Sequence, residues 1–246
     1  MKNKHAFTSC VRRLTDERFH PYCAPRGLCM DCGWGMRLYL VAITELAGRQ
    51  EQGLALLPPA RRARVLRYMR EEDRLRCLAG GLLMRHLLGV REDGQLAEAS
   101  HGKPMLAGEG PQFNLSHAGA YAVLAVGDCP NGVDIERTER MRPLAAKYCM
   151  TPEEYALFTR TDTPEEFFCT LWTGKESVMK GVGLGMGLAP QSFSLLPFEA
   201  GEYLIRGGRW FVRWHSLNDG YIIALASQEP VRDMELVRLR ADELFR

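Results

Sequence analysis

Apolar positions along the chain follow two alternating patterns. Met36–Ile43 is a short, almost continuous apolar run of the kind a buried strand shows. At Leu57 the period changes. Leu57-Pro-Pro-Ala opens a helix, since proline is tolerated in a first turn, and this helix carries Arg61, Arg62, Arg64, Arg67 and Arg70. A second helix is predicted from about Glu71 to Leu88, with Leu75, Leu78, Leu82 and His86 on one face and Gly89 as its stop. Residues 92–112 read as loop. Two strands, Tyr121–Val126 and Gly132–Ile135, then flank an Asp-Cys-Pro-Asn turn.

The helical period returns at two near-identical starts. Thr151-Pro152-Glu153-Glu154 and Thr163-Pro164-Glu165-Glu166 each place Thr at the N-cap, Pro at the first position and Glu at the third, the pattern of a capping box. The helix from Thr163 continues through Leu171, Trp172, Lys175 and Glu176 to about Lys180, where Gly181, Gly183, Gly185 and Gly187 end it. Strand-like runs follow at Ser192–Leu196, Trp210–Trp214 and Tyr221–Ala226. This order predicts an α+β fold of two similar α/β halves, residues 35–128 and 129–246, with no repeat visible residue by residue.

Residues 1–34 stand apart. They hold Cys10, Cys23, Cys29 and Cys32, four of the eight cysteines, with no apolar period. Cys29-x-x-Cys32 has metal-ligand spacing and His20 is near, but the remaining intervals match no standard zinc pattern. A poorly ordered extension is expected instead. Elsewhere composition narrows the field. Lys+Arg total 32 against 30 Asp+Glu, a formal charge of +2, which argues against a nucleic-acid binder. No apolar run approaches the roughly 18 residues of a membrane span, and no export signal is evident. The cysteines are therefore expected to be reduced thiols in a cytoplasmic protein. Of the 32 basic residues only six are Lys, so a Lys inside a motif calls for an explanation.

Five groups of residues carry candidate chemistry. On a strand, Asp134 and Glu136 project from one face while Val133 and Ile135 face the other way. Paired carboxylates of this kind suit Mg²⁺, although a solvated strand end facing Arg137 or Arg140 satisfies the same spacing. Glu176 and Lys180 share a helix face, as an ordinary surface ion pair would also do. Lys103, in His101-Gly102-Lys103-Pro104, sits in a loop from which it could reach a phosphate. Ser116 and His117 lack a nucleophile elbow and suit phosphate contact better than hydrolysis, with a capping Ser and a half-buried His as the plain alternative. Finally, Arg61 and Arg64 are one turn apart in a segment with seven Arg from Arg61 to Arg76, which is either a solvated face or an anion site.

In order and spacing, Arg61-x-x-Arg64, Gly102-Lys103-Pro104, Phe113-Asn-x-Ser116-His117, Gly132-x-Asp134-x-Glu136 and Trp172-x-x-Lys175-Glu176-x-x-x-Lys180 resemble the signature of the 4′-phosphopantetheinyl transferases of the Sfp type. The resemblance runs over about residues 36–228. It implies transfer of the 4′-phosphopantetheine arm of coenzyme A to a serine of an acyl or peptidyl carrier protein, with release of adenosine 3′,5′-bisphosphate. It further implies an intramolecular pseudo-dimer, with CoA and Mg²⁺ in the cleft between the halves. By the same resemblance, Asp134, Glu136 and Glu176 are the metal ligands and Lys180 contacts the pyrophosphate. Ser116 and His117 match its phosphate-contacting pair and Lys103-Pro104 the loop near the adenine nucleotide, while Arg61, Arg64 and Arg76 meet the 3′-phosphate. Glu176 is expected to take the serine proton, directly or through a metal-bound water. Glu154 matches a carboxylate near the metal, with its capping role as the competing explanation. A monomer with CoA and a carrier protein as partners, and no nucleic acid or membrane, is expected. A carrier-binding module without catalysis and a Mg²⁺-dependent nucleotide hydrolase are the alternatives. Met150, Tyr155 and Phe158 are expected at the carrier surface, unless they are core.

Overall fold

The computed structural model describes residues 36–140, 145–198, 201–231 and 234–246. The Cys-rich extension, and with it the zinc question, lies outside the described residues. In chain order the elements are β1 (Arg37–Ala42), α1 (Gln50–Leu56), α2 (Pro59–Leu66), α3 (Glu71–Leu88), β2 (Leu96–Glu98), β3 (Pro104–Leu106), β4 (Gln112–Ala118) and β5 (Tyr121–Gly127). Then come β6 (Asn131–Arg137), α4 (Ala146–Cys149), α5 (Pro152–Phe158), α6 (Pro164–Val182), β7 (Glu202–Ile205), β8 (Gly208–Ser216), β9 (Tyr221–Ser227), β10 (Glu235–Arg238) and α7 (Ala241–Leu244). None of the described helices is long and apolar enough to cross a membrane.

Two four-stranded sheets organise these elements, in the orders β10-β1-β5-β4 and β6-β9-β8-β7, with β2 and β3 as a separate hairpin. Period-2 alternation builds three cores from them. Val41, Ala122, Leu124 and Val126 face α3, packing on Leu75, Leu78, Leu82 and Leu83. Ile222, Ala224 and Ala226 face α6, packing with Phe168, Leu171 and Val178. The opposite faces of both sheets meet in a third core of Leu38, Leu40, Val123, Ala125, Val133, Ile135, Ile223 and Leu225. Strands β1, β5 and β9 are therefore apolar on both sides, and with Val133 and Ile135 of β6 they join one half to the other.

The halves are equivalent in register. Leu38 and Leu40 pair with Ala125 and Val123, as Val133 and Ile135 pair with Leu225 and Ile223. Tyr121 and Tyr221 begin the equivalent strands β5 and β9 and meet edge to face, with ring centroids 5.0 Å apart. Tyr121 donates to Asp219 at 2.7 Å, and the Tyr221 hydroxyl accepts from the Ala120 amide at 2.9 Å, so each tyrosine is held by the other half.

Several expectations are corrected. The second unit, expected over 129–246, hands its last strand and helix to the first: β10 runs parallel to β1, and Leu239, Ala241 and Leu244 complete the core under α3. Thr151 forms its capping box, but Thr163 (φ −128°, ψ 67°) makes no side-chain cap bond. Residues 92–112, expected as loop, contain the β2–β3 hairpin. Ser192–Leu196, expected as a strand, is a 3-10 turn followed by irregular chain. Helix α3 spans the residues expected, with Gly89 at φ 70° closing it in the left-handed conformation.

Candidate active site

Strand β6 brings the chemistry to the junction of the halves. As its alternation requires, Val133 and Ile135 enter the shared core while Asp134 and Glu136 face α6. Two glycines allow the close approach. A Cβ on Gly132 would overlap the Ser177 carbonyl and the Gly181 amide, and one on Gly181 would strike the Trp210 ring. The crossing places the last turn of α6 beside β6. There the Lys180 ammonium pairs with Asp134 Oδ1 at 2.5 Å and with Glu176 at 3.6 Å, the i,i+4 partner on its own helix.

The first half contributes β4, whose free edge lies along β6. Ser116 Oγ donates to Asp134 Oδ1 at 2.8 Å and accepts from Lys180 at 2.9 Å. Asn114, two residues earlier and on the same strand face, accepts from the Val133 amide at 2.9 Å. That amide lies on the free edge of β6, and buried donors of this kind require a partner. Asn114 was not singled out from the sequence. Its signal is the shared face with Ser116 in Phe-Asn-x-Ser. His117 points to the other face of β4, toward Asp73 and Arg76 on α3, so the Ser116 and His117 side chains leave the strand on opposite faces. Partial burial and then the Lys180 and Arg76 charges hold the His117 imidazole below its ordinary pKa.

The carboxylates feel one another. Burial, then the charges of Asp134 and Glu176, push Glu136 up to about 7. Glu176 is raised by burial and by Asp134, against the pull of Lys180. Burial works against the Lys180 charge, but Asp134 and Glu176 outweigh it and raise its pKa. Asp134 Oδ2 is buried with no hydrogen-bond partner among the described residues. An orphaned carboxylate oxygen among raised acids is suited to a hard dication with oxygen ligands. Even so, among the described residues no three His, Cys, Asp or Glu groups are gathered closely enough to hold a metal as they stand. The expected ligand set is present in chemistry, but Lys180 supplies the positive charge beside Asp134.

A second feature is a cleft of about 260 Å³ lined by Arg61, Arg64, Arg67, Glu98, Gly102 and Pro104. Arg61 is half-buried, with Nη2 donating to Met84 Sδ at 3.4 Å, and burial followed by the Arg64 charge lowers its pKa. Arg67 joins the two expected arginines by the same three-residue step. The N-terminus of α2 at this cleft is capped by Asp93, whose carboxylate accepts from the Ala60 amide at 3.1 Å.

Three expected contacts are corrected. Arg76 is buried, donating to the Gly119 carbonyl at 2.8 Å and paired with Asp73 and Glu72, so its guanidinium fixes the β4–β5 turn and does not line the cleft. Lys103 donates to the carbonyls of Asn131 (3.0 Å) and Gly181 (3.2 Å), while its neighbours Gly102 and Pro104 line the cleft. Glu154 is fully buried. Its Oε2 pairs with the equally buried Lys175 at 2.5 Å and accepts from Thr151, and its Oε1 accepts from the Leu195 amide at 3.0 Å. Lys175 further binds the carbonyls of Cys149, Pro190 and Phe193. Both Glu154 oxygens are thus engaged in ordering the chain below α6, which leaves no place for the expected role at the metal. Of the three residues expected at a carrier surface, Met150 is core, and Tyr155, 37% exposed, stacks on the partly buried Phe158.

Known proteins match in the same order. The 4′-phosphopantetheinyl transferase superfamily matches residues 130–226, and the N-terminal region of 4′-phosphopantetheinyl transferases matches residues 48–129. A 4′-phosphopantetheinyl transferase of Bacillus subtilis is 30% identical over 196 residues, covering 75% of this chain and 88% of that protein. The 4′-phosphopantetheinyl transferase Sfp of the same organism is 26% identical over 207 residues, covering 79% and 92%. The mouse L-aminoadipate-semialdehyde dehydrogenase-phosphopantetheinyl transferase is 27% identical over 233 residues, covering 80% and 75%. The chain belongs to the 4′-phosphopantetheinyl transferase family. Within it, the chain is of the Sfp type.

Proposed function

We propose that the β6–α6 junction transfers the 4′-phosphopantetheine arm of coenzyme A to the serine hydroxyl of an acyl or peptidyl carrier protein, and that the arginine cleft receives the nucleotide end of CoA. The observation that carries this reading is the Ser116–Asp134–Lys180–Glu176 cluster with its orphaned Asp134 Oδ2. In the reaction the serine oxygen forms a bond to phosphorus, the bond to adenosine 3′,5′-bisphosphate breaks, and the serine proton must leave. Glu176 takes that proton. Its raised pKa brings it closer to the useful range for a base near neutral pH. Lys180 neutralises the charge that grows on the leaving phosphate, and Ser116 orients both Lys180 and Asp134. Arg61, Arg64 and Arg67 offer planar forks to the 3′-phosphate, with Pro104 walling the same cleft.

Mg²⁺ is the cofactor of this reading, and Asp134, whose Oδ2 is free, would hold it together with Glu136 and Glu176. When bound, it would supply positive charge to the pyrophosphate oxygens. In this reading the protein works in the cytoplasm, and as a monomer because one chain already provides both walls of the junction.

Intact mass of an apo carrier protein, incubated with this protein, CoA and Mg²⁺ or without metal, tests the proposal. A metal-dependent gain of one phosphopantetheine arm is expected. No gain on fatty-acid, polyketide or peptide carriers would refute it. In the same assay Glu176→Gln is expected to lose most turnover, and near-normal turnover at saturating Mg²⁺ would remove Glu176 as the base.

A further inference from the structure

Lys103 belongs to the first half, in the turn between β2 and β3, but among the described residues its ammonium bonds only to the second. Asn131 begins β6, just before Gly132, and Gly181 follows Lys180 at the end of α6. The two carbonyls that Lys103 binds therefore lie on either side of the Gly132–Gly181 crossing. Among the described residues no carboxylate pairs with it, and burial alone lowers its pKa to about 8. A half-buried cation without an anion is costly, and it is found here in a chain with six Lys against 26 Arg. A flexible stem ending in a compact point donor can satisfy two carbonyls in a narrow gap, as the planar Arg fork cannot.

We propose that Lys103 is a positioning residue that clasps β6 to α6 from the first half, holding Asp134 and Lys180 in register with the arginine cleft whose wall its neighbours form. The functional half of this proposal rests on the transferase reading above; the clasp itself does not. Lys103 then acts through the crossing, and its ammonium does not bind the phosphates of CoA. Anchoring the cleft wall to the crossing makes the distance between the bound nucleotide and the acids a property of one side chain.

Lys103→Met and Lys103→Gln distinguish the clasp from a phosphate contact, because Gln keeps N–H donors but no charge. In the free protein, amide hydrogen exchange at residues 131–134 and 179–183 is expected to quicken in Lys103→Met and to be partly restored in Lys103→Gln. With CoA and a carrier the wild type loads, Lys103→Met is expected to lower kcat by about fivefold or more, with KM for CoA within about twofold. The salt dependence of KM should remain that of the wild type, since no phosphate contact is lost. The proposal is overturned if exchange is unchanged, or if KM for CoA rises about tenfold with a weaker salt dependence while kcat holds and Gln behaves as Met does. Should Lys103→Met not fold, Lys103→Gln against wild type carries the same comparison, with unchanged exchange and a raised KM as the refuting result. If the wild type loads no carrier, the transferase reading falls while the exchange measurement still decides the clasp.

Discussion

Tyr39 and Val41 occupy on β1 the places that Asp134 and Glu136 occupy on β6, counted from the same pairing register with β5 and β9. Around them the halves are alike. Leu38 and Leu40 match Val133 and Ile135, and one long helix covers each sheet. The difference lies in two substitutions of apolar for acidic groups and in what meets the strand's outer edge. At β1 that edge is filled by backbone, since β10 pairs with it and Leu239 donates to the Leu40 carbonyl at 2.8 Å. At β6 it is met by side chains, Asn114 and Ser116 of β4. A strand edge closed by a ladder has no room for a ligand, whereas one closed by two side chains leaves carboxylate oxygens unspoken for. A fold with two equivalent junctions therefore carries one candidate site.

The sharpest way to break this asymmetry is to remove its acid. Asp134→Asn should reduce carrier loading by on the order of 10²–10³-fold, measured as initial rate at saturating CoA, whereas Tyr39→Phe at the matching place should leave the rate within about twofold. Equal losses from both would end the comparison. Stability comes next. Glu154→Gln removes the partner of fully buried Lys175, a contact without counterpart described in the first half, and should cost about 3–5 kcal/mol in urea unfolding. In the first half, Leu244→Ala opens a cavity in a core that α7 completes and should cost about 2–4 kcal/mol by the same measurement.

A smaller effect is expected from pH. Glu136 has a folded pKa of about 7 against an ordinary 4.5, so folding favours its protonated form. Its contribution to stability is full below about pH 4.5 and is lost as pH rises through 7. Metal-free wild type should therefore lose stability over that interval more steeply than Glu136→Gln, with added Mg²⁺ restoring it at the upper end. Val41, at the matching place, titrates nothing. The smallest effect separates two helix starts within the second half: Thr151→Ala should cost about 1 kcal/mol, and Thr163→Ala only a few tenths, because only Thr151 makes its cap bond.

Period and spacing were enough to read the site's principal elements. The alternation of Val133, Asp134, Ile135 and Glu136 reveals both faces of β6, and the step from Glu176 to Lys180 reveals their shared helix face. What escaped depends on distant partners. The run Ser192–Leu196 has a strand's composition, but Lys175 takes the Pro190 and Phe193 carbonyls and Glu154 takes the Leu195 amide, groups a ladder would need. The β2–β3 hairpin is hidden because each strand is three residues long. Glu154 could not be assigned from spacing, since a capping glutamate and a site glutamate look identical until Lys175 is placed beside it. The likeness of the two halves is invisible for a related reason. Its landmarks are register positions, such as Tyr121 and Tyr221, and the residues between them need only be apolar.

The return of β10 and α7 to the first half also bears on how the protein is made. Leu239, Ala241 and Leu244 are made long after Val41 and Ile43, and they finish the core that those residues begin. The first half therefore waits on the second during synthesis. The edge of β1 stays open to other strands until β10 has been made.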